Sequence, residues 1–178
     1  MKNHHLHRLV LWLWIGALFL TPEVVCAQEE EKESKHHVGL LGGLTYIPSG
    51  QQNPDDDFVI APTVGVEYLY EFHPRWLVAA MVDIELIEYG VESHAGLINR
   101  ENPLILAATA MFRVTHKWIV YAGPGYEIET LETFFVFRTG IKYEIHSGHF
   151  EYAPTLEFDF KEDTYASIFL GLAIGRAF

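Results

Sequence analysis

From residue 38 onward, apolar side chains alternate with polar or small ones at a period of two, and no window carries a helical stripe. Over 60–72 one parity holds Ile60, Pro62, Val64, Val66, Tyr68, Tyr70 and Phe72, and the other holds Ala61, Thr63, Gly65, Glu67, Leu69 and Glu71. An extended chain sends these sets to opposite faces, one greasy and one small or charged. Turn signals cut the pattern into eight stretches, roughly 37–47, 58–72, 76–88, 103–115, 118–129, 134–146, 149–160 and 165–178. The connections differ in length: those at 73–75, 116–117 and 147–148 are tight, those at 48–57 and 89–102 are long and polar, and those at 130–133 and 161–164 are short but lie on the long-loop side.

The two faces suggest what each one meets. A soluble barrel of eight strands would turn its apolar face inward and a charged face outward. Here the mixed face is crowded with small residues, among them Gly39, Gly43, Gly65, Ala79, Gly123, Gly140 and Gly171, which suit a narrow lumen. The opposite face is a nearly unbroken band of Val, Ile, Leu, Phe and Tyr that water would not tolerate on a monomer's exterior but lipid would. Closure satisfies every backbone group inside a bilayer, as an open sheet cannot. The pattern predicts an all-β, eight-stranded antiparallel up-and-down transmembrane β-barrel over 37–178. Its tight turns would lie on the periplasmic side, and Trp76, Trp118, Tyr152 and Phe178 would fall near the inner rim, where an aromatic girdle belongs. Pro62, Pro124 and Pro154 fall within strands and each removes a ladder donor, so bulges are expected there, above all at Gly123-Pro124-Gly125.

The N-terminus changes the picture. Lys2 and Arg8 precede an apolar run over 9–20, and Thr21, Pro22 and a Val25-Cys26-Ala27 stretch follow, which reads as a secretory signal peptide over 1–27. The run is too short for a membrane helix, which needs about 20 apolar residues. Cleavage after Ala27 removes Cys26, the only cysteine, so the mature chain has no disulfide or thiol chemistry. The stretch QEEEKESK that follows has no apolar periodicity, and 28–36 reads as a solvated, charged tail. The formal charge of −12 is the opposite of a nucleic-acid footprint, so no nucleic-acid partner is expected.

With these features the chain resembles the small eight-stranded outer-membrane barrels of the OmpA and OmpX type. The terminal Leu170, Leu172, Ile174 and Phe178 look like the C-terminal signal that marks such barrels for insertion, with a departure at Arg176, where a hydrophobic or aromatic residue is usual. The resemblance implies export to the outer membrane of a diderm bacterium, contact with its lipid and lipopolysaccharide, and passage through the barrel-assembly machinery.

Charged residues of the mixed face would then lie in the lumen, where they must be paired or hydrogen-bonded. A turn at Ser147-Gly148 would set Arg138 opposite Glu157 and Lys142 diagonal to Glu151, while the hairpin at 130–133 would bring Glu127 near Arg138. The expected cluster is therefore Arg138, Glu157, Glu127, Lys142, Glu151 and Arg113, acting as a structural plug, because eight strands leave an interior that side chains just fill. His37, His73, His116, His146 and His149 gather at the inner side without metal-ligand spacing and read as turn polarity, so neither a metal nor a cofactor is expected. His146, Ser147 and Glu151 lie at the wrong end for chemistry on lipid A, and Glu92, Ser93 and His94 are too close in sequence to converge as a triad. The expectation is a non-enzymatic barrel that anchors in the bilayer and displays its outer loops. The rivals are a narrow cation-preferring channel and a lipid-modifying barrel enzyme.

Overall fold

The computed structural model describes residues 35–48, 50–51, 57–93, 96–129, 133–162 and 165–178. The expected signal peptide, nearly all of the charged tail and most of the acidic end of the 48–57 connection, Asp55-Asp56-Asp57, lie outside them. Within the described residues the strands are β1 (His36–Ile47), β2 (Gly50–Gln51), β3 (Val59–His73), β4 (Trp76–Glu85), β5 (Glu88–Ser93), β6 (Gly96–Glu101), β7 (Leu104–Arg113), β8 (Trp118–Ile128), β9 (Thr133–Tyr143), β10 (Ile145–Ser147), β11 (Phe150–Lys161) and β12 (Ala166–Ala177). His36, read above as tail, is the first residue of β1.

Eight of these strands form the wall in the order β1, β3, β4, β7, β8, β9, β11, β12, each antiparallel to the next, and β12 pairs back onto β1 to close the barrel. β10 continues β9 past Glu144 and pairs with β11 in the same register. The wall strands are 10 to 15 residues long, enough to cross a hydrocarbon core at the usual tilt.

The two faces follow the parity of the chain. Leu40 and Leu170 are each 65% exposed on the outside, and Val64, Val66, Ile60, Phe137 and Phe160 stand with them, so the apolar set is the exterior. The small set points in. A Cβ on Gly43 would run into the Leu170 carbonyl oxygen, and one on Gly123 would strike that of Ala108, so neighbouring strands pack backbone to backbone there.

Three expectations are corrected. The third stretch leaves the wall at Glu85, not at residue 88. The long connection at 89–102 is a hairpin of β5 and β6, extended by β2 into a three-stranded sheet at the long-loop end. Tyr89 and Val91 of the hairpin share one parity and bury against Ile47, Val59, Ala61 and Tyr165, which gives it a core of its own. The third correction concerns the prolines. Pairing of β7 with β8 is interrupted beside Pro124 but keeps one register on both sides, from Ala107 opposite Gly125 to Ala110 opposite Ala122. Pro62 and Pro154 likewise sit in register opposite Leu44 and Leu172. A missing N–H costs one rung without adding a residue, so no bulge forms. The register shift in the barrel lies instead at Glu71/His73, beside a tight turn.

Candidate functional site

The lumen holds the chemistry of the chain, in three tiers from the long-loop end to the tight-turn end. At the long-loop end Glu127 is fully buried and accepts hydrogen bonds from Arg100 Nη2 and, at 2.9 Å, from the Tyr165 hydroxyl, while Lys161 Nζ lies 2.5 Å from its carboxylate. Lys161 also lies 3.7 Å from Glu85, which accepts a 2.6 Å bond from the Tyr89 hydroxyl. Arg100 pairs with Glu129 at 2.7 Å and places its guanidinium 4.8 Å from the centre of the Phe134 ring. Arg100 and Tyr89 belong to the hairpin and Glu127, Glu85 and Lys161 to the wall, so the hairpin is latched to the lumen by charge. Burial, and then the neighbouring carboxylates, raise the Tyr89 phenol above its ordinary pKa, and burial does the same to Tyr165.

In the middle tier Arg138 donates from Nε and Nη2 to the two oxygens of Asp159, each at 2.8 Å, pairs with Asp83 across the lumen, and lies 3.5 Å from Glu157. One guanidinium thus faces three carboxylates, two in close hydrogen-bonded contact. At the tight-turn end Lys142 pairs with Glu67, while Arg113 holds Glu71 at 2.8 Å and Glu144 at 3.5 Å. His37 Nδ1 lies 3.0 Å from Glu151, with His146 at 3.6 Å. Leu69, Leu77, Met81, Met111 and Ile119 form an apolar wedge in the tight-turn half. The space bounded by His37, Glu67, Lys142 and Glu151 has a volume of about 20 Å³, room for a single water.

All six expected residues, Arg138, Glu157, Glu127, Lys142, Glu151 and Arg113, turn into the lumen, but in three groups. Only Arg138 and Glu157 are in contact as expected. Glu127 belongs to the outer tier, and Lys142 meets Glu67 instead of Glu151. Register explains both differences. The turn residues are Gly148 and His149, since Ser147 pairs with Phe150. Gly148 takes a φ of 62°, a conformation that favours glycine. Asp159 therefore stands opposite Arg138, with Glu157 opposite Gly140. In the preceding hairpin Arg138 faces Gly123, about 13 Å along the strand from Glu127.

Sequence reasoning left out Arg100 and Lys161. Lys161 had a signal, because it extends by one step the inward parity of Glu157 and Asp159. Arg100 had none, because its place depends on the hairpin folding back over the mouth. Phe178, Ile174, Leu172 and Leu170 all stand on the exterior. Glu92, Ser93 and His94 carry no described side-chain geometry, and among the described residues no three His, Cys, Asp or Glu side chains are grouped to hold a metal.

No family model and no curated protein matches the chain. The N-terminal β-barrel domain of Pseudomonas aeruginosa OprF is similar in structure, with a TM-score of 0.50 at 13% identity over 82% of this chain and 100% of that one. A de novo designed transmembrane β-barrel matches with a TM-score of 0.47 at 15% identity, over 83% of this chain and 99% of that one. Neisserial surface protein A also matches at 0.47, with 9% identity, over 83% and 100%. The strand order, the closure and the OprF domain agree: the chain has the fold of the small eight-stranded outer-membrane barrels.

Proposed function

We propose that this chain is an outer-membrane protein that catalyses no reaction, staples the envelope and holds a folded cap at the cell surface. The observation that carries the reading is the apolar exterior of a closed barrel, which is stable in hydrocarbon and a liability in water. The filled lumen supports a sealed scaffold over a channel, since the charges that could line a path are paired across it. On this reading residues 1–27 are a cleaved signal peptide, and Leu170, Leu172, Ile174 and Phe178 present the chain to the assembly machinery. The cap, with acidic Asp57, Glu88 and Glu101 exposed, stands beyond the lipopolysaccharide leaflet to meet an extracellular partner.

Three measurements test this reading together. Membrane fractionation should place the chain in the outer membrane, and the folded barrel should migrate differently on a detergent gel before and after boiling. Planar bilayers holding the protein should show no steady conductance. Identical migration of a soluble periplasmic species would refute the anchor, and a cation current abolished by neutralising Glu127 and Glu157 would replace the sealed scaffold with a channel.

A further inference from the structure

The exposed charges are sorted by end. Among the described residues the exposed Lys and Arg are Lys35, Arg75, Lys117 and Arg176, and the exposed Asp and Glu are Asp57, Glu88, Glu101 and Glu162. Backbone bonds place the cations at the tight-turn rim: Lys35 accepts from Glu71, Arg75 from Arg113 and Lys117 from Glu144, while Arg176 pairs with Val38 on β1. The acids lie at the opposite end.

Each cation borders the outward aromatic girdle of its rim. Lys117 Nζ lies 5.8 Å from the Tyr143 ring, which packs against Trp118. Arg75 precedes Trp76, whose ring meets Phe112. Arg176 stands two residues from Phe178, whose ring stacks on His36 next to Lys35. Such girdles sit at headgroup depth. The side-chain carboxylates of this rim turn inward, Glu71 and Glu144 to Arg113 and Glu151 to His37, so they do not neutralise the outward cations.

We infer that the tight-turn rim is a binding collar for anionic phospholipid headgroups of the adjacent leaflet, with Arg75, Lys117 and Arg176 as its phosphate contacts. Charge complementarity and depth select this partner. A soluble polyanion has no reason to need cations set among lipid-facing rings, whereas a headgroup phosphate lies level with them. The same placement accounts for Arg176: at the rim, beside Phe178, its long side chain reaches the headgroups while Leu172 and Ile174 behind it stay in the hydrocarbon. The inference rests on the membrane reading above, and its test separates the two.

The full chain is reconstituted in phosphatidylcholine vesicles carrying spin-labelled phosphatidylglycerol or spin-labelled phosphatidylcholine, and the motionally restricted lipid is measured for each. The collar predicts a preference for phosphatidylglycerol of roughly fivefold, the increment expected of one basic residue near a lipid surface. The preference should collapse in about 1 M salt, where screening acts over about 3 Å. The combined variant Arg75→Gln, Lys117→Gln, Arg176→Gln should fall to within about twofold of no preference while keeping its heat-dependent gel shift. An inserted barrel with no preference, or a variant that keeps it, overturns the collar alone. So does a wild type that shows no preference but binds soluble polyglutamate. A chain that fails to insert overturns the membrane reading and the collar with it.

Discussion

At the scale of single residues, the lumen is stable only while each buried charge keeps its partners. Arg138 answers Asp159, Asp83 and Glu157 together, so Arg138→Met would strand three carboxylates in an interior closed to water. The expected cost is about 3–5 kcal/mol, the range for breaking a buried pair from one side. Urea unfolding of the vesicle-inserted protein measures it, and a loss comparable to that of an outward conservative change would show that the charges are not paired as described. Gly148 tests a different term. A Cβ there would meet nothing beyond its chain neighbours, so Gly148→Ala is penalised by the left-handed backbone alone, about 1–2 kcal/mol, and Gly148→Asn by much less. That turn also marks where the sequence stops being legible. Parity alone sends Arg138, Lys142 and Glu127 inward. Their partners depend on a register set by whether the turn holds residues 147–148 or 148–149, and on contacts such as Lys142 with Glu67 that join opposite walls. Pairing read from neighbouring strands has no access to either.

At the scale of elements, β5 and β6 turn a loop into a cap because their apolar parity docks on Ile47, Val59 and Tyr165 while Arg100 reaches Glu127. Alternation within 89–98 was available in the sequence, but its polar tip and its length made it read as a connection. Arg100→Ala should free the hairpin without opening the barrel. Limited proteolysis should then cut within 88–101 faster than in the wild type, with the gel shift unchanged; equal cleavage rates would mean that the apolar contacts hold the cap unaided. The tyrosines at this junction add a dependence on pH. Burial raises both phenols above their ordinary value in the folded state. Their contribution is therefore complete below about pH 10 and is lost as pH climbs through the folded values. Hairpin cleavage should accordingly be flat from neutral pH to about pH 9 and accelerate in strong alkali, and Tyr89→Phe should flatten that rise.

At the scale of the whole molecule, the question is what wets the exterior, and one substitution repeated at two depths answers it. Val66 lies midway along β3 on the outward face, and Phe72 lies on the same face near the tight-turn rim. In water both are exposed surface positions, and arginine at either would change stability by no more than about 0.5 kcal/mol. In a bilayer the cost depends on depth: about 2–4 kcal/mol for Val66→Arg at the midplane and about 0–1 kcal/mol for Phe72→Arg at the interface. An inward residue of the same strand offers a control. Thr63→Ser changes the lumen without touching the exterior and removes only a methyl beside its bond to Thr45, so it should leave this gradient unmoved. A steep difference between the two arginine variants in vesicle unfolding would identify hydrocarbon as the medium around the barrel. Equal and negligible costs would mean that water surrounds it, and the staple, the sealed lumen's purpose and the lipid collar would all have to be abandoned together.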